Sequence, residues 1–120
     1  MAGEDNIKLA ISHLDKASFE KMRHIKDMQS DLDRQRKELE KDIDRLGKSI
    51  AINATLASNG DQSDARRVVA TKAVSTFKSE TDELKRQISQ LHDTTKDEIK
   101  NTELEIVVIN DCSANLKRLI

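Results

Sequence analysis

The side chains able to do chemistry in this chain are few. Histidine occurs at His13, His24 and His92, and cysteine only at Cys112. A zinc centre takes about four tetrahedral ligands, or about three and an open position. Glu20 and His24 stand one helical turn apart, which makes two ligands, and no His-x-x-x-His or Glu-x-x-His pair supplies more. The histidines therefore read as surface residues of helices, and no metal or cofactor is expected. Cys112 is a nucleophile only beside a base that depresses its pKa. Without a third, orienting group it reads as a small buried hydrophobe. The acid pairs Asp42/Asp44 and Glu103/Glu105 are two apart, so on a helix they diverge into solvent. No glycine-rich phosphate loop or Gly-x-Ser-x-Gly turn is present. The chain is expected to be non-enzymatic, with no small-molecule substrate.

The elements that carry these residues follow from what is missing. There is no proline in 120 residues and glycine occurs three times. Proline and glycine are the usual breaks between short elements. Gly3 lies near the start and Gly60 lies in Ser58-Asn59-Gly60-Asp61-Gln62-Ser63, the one clear loop signal. Two uninterrupted stretches remain. Aromatics make up 2% of the chain, Phe19 and Phe77 alone, so a core of large rings is excluded. Charged and hydrophobic residues each make up 36%. That balance with helical periodicity reads as long helices or a coiled coil.

Net charge is −1. Disorder requires low hydrophobicity together with high net charge, and periodic apolar residues argue against it. A nucleic-acid binder shows a basic stripe, and here the signs are balanced within each half. Arg66, Arg67 and Lys72 form a small basic group beside Asp61 and Asp64. It supports a nucleic-acid accessory role only as a further alternative. No apolar run reaches the roughly 18 residues that span a bilayer, and the acidic start has no signal-peptide core. A lone cysteine fits a reducing, intracellular location, cytoplasmic or nuclear.

The apolar stripe of the first stretch runs through Ile7, Ile11, Leu14, Met22, Ile25, Met28, Leu32, Leu39, Ile43, Leu46 and Ile50, with Ser18 and Arg36 (or Gln35) filling gaps. Steps of three and four residues define one face of a gently supercoiled helix. In the second, Phe77, Leu84, Ile88, Leu91, Ile99, Ile106, Ile109 and Leu116 continue through Thr81, Thr95 and Thr102, with one extra residue between Leu91 and Ile99. Asp5 or Asn6 is expected to cap the first helix, and Asp61 or Ser63 the second. Gly60 or Asn59 is expected to end the first in a left-handed conformation. Gly47 marks a bend or a close approach. Asp33–Lys37 and Asp44–Lys48 are favourable ion-pair spacings.

Folding at residue 61 places residue i near 122 − i. Leu46 then meets Phe77, Leu39 meets Leu84, Leu32 meets Leu91, Ile25 meets Ile99 and Leu14 meets Ile109. The sequence therefore predicts an all-α fold, one long antiparallel two-helix hairpin over 1–120. Helix 1 covers about 5–58, the loop 59–63 and helix 2 about 64–118. A shorter bundle broken near Ser30-Asp31 and Asp93-Thr94 is the competing topology. Both ends are too broadly apolar for one seam, around Ile7, Leu9, Ile11, Leu104, Val107, Val108 and Ile109, and around Ile52, Leu56, Val68 and Val69. A helix apolar on more than one face needs more than one neighbour. The expected function is a structural or scaffolding coiled-coil protein that self-associates, in the simplest case as a homodimer forming a four-helix bundle, or that binds helical partners. The alternative is a small helical chaperone or adaptor that binds a partner's amphipathic helix.

Overall fold

The computed structural model describes residues 2–120. It is a helical hairpin: α1 spans Ala2–Ser58 and α2 spans Asp64–Lys117, the two helices pack against each other, and 93% of the chain is helical. Neither helix breaks near Ser30 or Asp93, where there is no Gly to loosen the backbone and no Pro to remove a hydrogen bond. The contacts divide into two units. A terminal unit holds Met1–Leu32 with Asp93–Ile120, and a loop unit holds Asp33–His92.

Each unit has one seam. In the terminal unit the shielded α1 positions Ile11, Leu14, Ser18, Lys21, Ile25, Met28 and Leu32 step by threes and fours. On α2 Thr95, Ile99, Thr102, Ile106, Ile109, Ser113 and Leu116 do the same. In the loop unit the series are Arg36, Leu39, Ile43, Leu46, Ile50, Asn53 and Ala57, and Ala70, Val74, Phe77, Thr81, Leu84, Ile88 and Leu91. Both series cross from one unit to the next on a step of four, Leu32 to Arg36 and Leu91 to Thr95, beside another step of four. That is the extra residue predicted between Leu91 and Ile99, and α1 carries its counterpart at Met28–Leu32–Arg36. Such an insertion locally unwinds a supercoil.

Two seam assignments change. Met22 is exposed and Lys21 takes its place, because the step from Ser18 to Ile25 divides as three and four. The aliphatic stem of lysine covers apolar surface while its ammonium group reaches out to Glu105. Between Arg36 and Gln35, the seam residue is Arg36. Its Nη2 donates to Asp33 Oδ1 at 2.7 Å and its Nε lies 3.8 Å from Glu40. Asp33 thus pairs with Arg36 rather than with Lys37, and Asp42 pairs with Arg45 at 3.3 Å.

The ends show how the turn is made. α1 begins at Ala2, so Asp5 and Asn6 lie inside the helix instead of capping it, and Asp5 joins Glu4 as first-turn negative charge. No described residue has a positive φ, so neither Gly60 nor Asn59 ends α1 in the left-handed region. The side chain of Asn59 turns the chain instead: its Oδ1 accepts from the Asp61 N–H at 2.9 Å, and its carbonyl accepts from Gln62 N–H at 3.2 Å. This is an Asx turn, which mimics a backbone turn without positive φ. Of the two expected caps, Asp61 and Ser63, it is Ser63 that caps α2, its Oγ accepting from the Arg66 N–H at 3.3 Å. α1 has no basic residue in its last turn, and Arg67 of α2 supplies one, Nε donating to the Ala57 carbonyl at 3.3 Å. At Gly47 a Cβ would meet nothing within 4 Å, so no neighbour approaches closely there.

In the terminal unit the cross-helix bonds set a register different from 122 − i. Ser18 Oγ donates to Asn110 Oδ1 at 2.9 Å, and Ser113 Oγ donates to Asp15 Oδ1 at 2.8 Å. A fold at residue 61 would place Ser18 and Asp15 against Leu104 and Val107, six residues earlier on α2. Side chains lean toward the N-terminus of their own helix. In an antiparallel pair that lean brings together residues whose Cα atoms are offset along the axis, which accounts for part of the shift.

Candidate protein-protein interface

The residues proposed from sequence as a partner surface divide between seam and outer face. Ile11 is 9% exposed and belongs to the core, and Ile7 and Ile109 are half-buried. Leu9, Leu104, Val107 and Val108 in the terminal unit are exposed, as are Ile52, Leu56, Val68 and Val69 in the loop unit. Leu104 and Val108 are 57% and 62% exposed. Side chains of this size are normally held inside. They cluster here because i, i+3 and i+4 positions share a helix face.

In the terminal unit Leu104 and Val108 form one wall of a shallow groove of about 490 Å³ that also contains Ile109 and the Lys21–Glu105 ion pair. In the loop unit Leu56, Ala65, Val69 and Ala70 line a hollow of about 430 Å³. A second hollow, of about 510 Å³, lies against Ala57, Val68 and Thr71, with Asp64, Arg67 and Lys72 at its edge. Phe19, Met22, Leu119 and Ile120 are also exposed. Phe19 escaped the sequence reading because it is off the stripe with charged neighbours. Met22 was assigned to the seam, where the three-four spacing already pointed to Lys21.

The residues with chemical potential are not assembled. His13, His24 and His92 are all exposed. Among the described residues no three His, Cys, Asp or Glu side chains converge as metal ligands. Cys112 is exposed rather than buried, because the seam passes through its neighbour Ser113. The basic group at the loop is partly committed: Arg67 bonds the Ala57 carbonyl and lies 3.8 Å from Asp64. The Glu83 carboxyl is held below the usual carboxylate range by its hydrogen bonds from Arg86, whose own pKa rises in return. That exposed pair lies outside both apolar surfaces. No described helix is long and apolar enough to cross a membrane. Comparison with protein-family models, with curated proteins and with solved structures finds no match to this chain.

Proposed function

We propose that the chain is a non-enzymatic scaffolding element that self-associates as a homodimer, two hairpins forming a four-helix bundle. What supports this is apolar surface left over once each seam is made. Leu104, Val107 and Val108 on α2, and Ile52, Leu56, Val68 and Val69 around the loop, are exposed beside seams that are already filled. Contiguous exposed apolar surface commonly marks an interaction site. The accessible surface agrees in scale. The chain exposes 8887 Å², against about 6,600 Å² for a compact monomer of 13.6 kDa. The excess is well above the roughly 800 Å² per partner that a specific interface buries.

Light-scattering mass across a dilution series tests the reading. The chain is expected to run as a dimer at ~10 µM, an ordinary affinity for an interface of standard size. Leu104→Asp with Val108→Asp is expected to give a monomer with unchanged helical circular dichroism, because both side chains point outward. A wild-type chain that stays monomeric at ~100 µM removes the homodimer. Pull-down of an amphipathic helix by that monomer would establish the adaptor alternative.

A further inference from the structure

We infer that Asn59 and Gly60 form a site of spontaneous modification, at which the asparagine loses ammonia and the turn is rebuilt as an aspartyl or isoaspartyl link. This is independent of the self-association reading. The chain has six asparagines, Asn6, Asn53, Asn59, Asn101, Asn110 and Asn115. Of these, Asn59 alone precedes a glycine and alone lies outside a helix. The reacting atoms are the side-chain amide carbon Cγ of Asn59 and the peptide nitrogen of Gly60. Inside a helix the peptide nitrogen is tied to the carbonyl four residues back. Among the described residues none accepts from the Gly60 N–H. Gly60 is also exposed, has no Cβ to shield its nitrogen, and has the widest choice of backbone angles for the approach. The electrophile is prepared as well. Asn59 Oδ1 accepts from the Asp61 N–H at 2.9 Å. Negative charge develops on that oxygen when Cγ is attacked, and a fixed backbone donor stabilises it.

The step balances without an oxidant or a reductant. The Gly60 nitrogen bonds to Cγ of Asn59, the Cγ–Nδ2 bond breaks, and the proton of the attacking nitrogen leaves with ammonia. The product is a succinimide ring, which water opens at either carbonyl carbon. Opening at Cγ leaves an aspartyl side chain on the original backbone. Opening at the main-chain carbonyl carbon routes the backbone through Cβ and Cγ, an isoaspartyl link. The two products differ in what they do to the turn. The aspartyl form keeps an oxygen for the Asp61 N–H, but it sets a carboxylate just past the last carbonyls of α1. The helix dipole disfavours negative charge there, and the last turn holds no basic residue. The isoaspartyl form loses more. Its side-chain carbonyl becomes main chain, and the Asn59 carbonyl that accepted from the Gln62 N–H at 3.2 Å becomes a free carboxylate. Gln62 lines the hollow shared by Leu56, Ala65 and Val69, so the change reaches the apolar surface of the loop unit.

Peptide mapping by mass spectrometry tests this on the full chain, held at mildly alkaline pH and sampled over time. Position 59 is expected to gain the mass of an amide-to-acid change, in aspartyl and isoaspartyl forms that electron-transfer fragmentation separates. Asn53, Asn101 and Asn110, inside helices, are expected to remain amides. Gly60→Ala is the decisive variant. A Cβ there would meet nothing within 4 Å and the φ is not positive, so circular dichroism should be unchanged. Its conversion should be at least roughly tenfold slower, because the added methyl crowds the attacking nitrogen and narrows its backbone freedom. An Asn59 that lasts as long as Asn101 overturns the site, and so does a Gly60→Ala chain that converts at the wild-type rate. Hydrogen exchange on the isoaspartyl fraction, isolated by ion exchange, tests the consequence. Exchange from Ala54 to Ser58 should be faster than in wild type, with Asn59→Asp between the two. Equal exchange in all three would mean that the turn does not depend on this link, and the loosening would be given up.

Discussion

In the terminal unit two of the most deeply shielded seam residues are hydroxyls, Ser18 and Ser113, each spent on a bond to the opposite helix. In the loop unit the deepest residue is Ala70, and the seam around it is mainly Leu, Ile, Val and Phe. The spacing is the same in both, three and four residues, so the difference is one of locking. Polar seam residues cost stability and specify register, because a slip would leave them unpaired. Asp15 adds to this lock through Lys117, 3.7 Å away, and Lys21 through Glu105. The loop unit needs less of this, since a five-residue connection and the Arg67–Ala57 bond already fix where α2 starts.

The largest expected effect comes from the apolar part of the terminal seam. Ile11→Ala removes the best-shielded large side chain and should cost about 2–3 kcal/mol, from lost burial and the cavity left behind. Urea unfolding measures the total. Hydrogen exchange then separates the units: amides around Ile11 and Leu116 should lose protection while those around Leu46 and Leu84 keep theirs. Equal loss in both would mean that the units unfold together, and the contrast between them would have no energetic meaning.

A matched pair of smaller changes sharpens the comparison of locks. Ser113→Ala removes the bond to Asp15, and Arg67→Ala removes the bond to the Ala57 carbonyl. Each should cost about 1 kcal/mol, the ordinary net worth of one such hydrogen bond. Their consequences should differ in place. Loss of the serine should loosen the pairing of α1 with α2 near Asp15, read as changed chemical shifts at Asn110 and Lys117. Loss of the arginine should fray the last turn of α1, read as faster exchange from Ala54 to Ser58. If both produce the same spread of shifts, the locks are not local.

This contrast also marks how far the sequence could be read. The helix lengths and the loop were legible because nothing else in the chain breaks a helix, and Thr81, Thr95 and Thr102 were placed in the seam by spacing alone. Register in the terminal unit was not, because 122 − i treats side chains as rungs and ignores their lean toward each N-terminus. Cys112 was misjudged because an apolar-looking residue was preferred over Ser113, although the step from Ile109 to Leu116 passes through position 113. The exposed apolar surface was half legible. Residues such as Val107 and Val108 cannot both face one neighbour, which placed a surplus there. Separating Ile11 from Leu9 required knowing which of them the seam had already used.

The smallest effect concerns a lock confined to one helix of the loop unit. Arg86 Nε and Nη2 bond the two carboxylate oxygens of Glu83, at 2.9 and 2.5 Å, one turn apart on α2. The Glu83 pKa is lowered, so this pair favours the folded chain at pH above the ordinary carboxylate range. The contribution disappears as pH falls through the depressed value and the carboxylate takes a proton. Both side chains are largely exposed, so salt should diminish the effect. Arg86→Gln should return the Glu83 titration upward, as followed by its carboxyl carbon shift, while amide exchange at Ser113 stays unchanged. The cross-helix contacts of Asp15 lie wholly within the terminal unit. Were exchange at Ser113 to change as well, the two units would be coupled through α2, and the separate locking described for them would have to be given up.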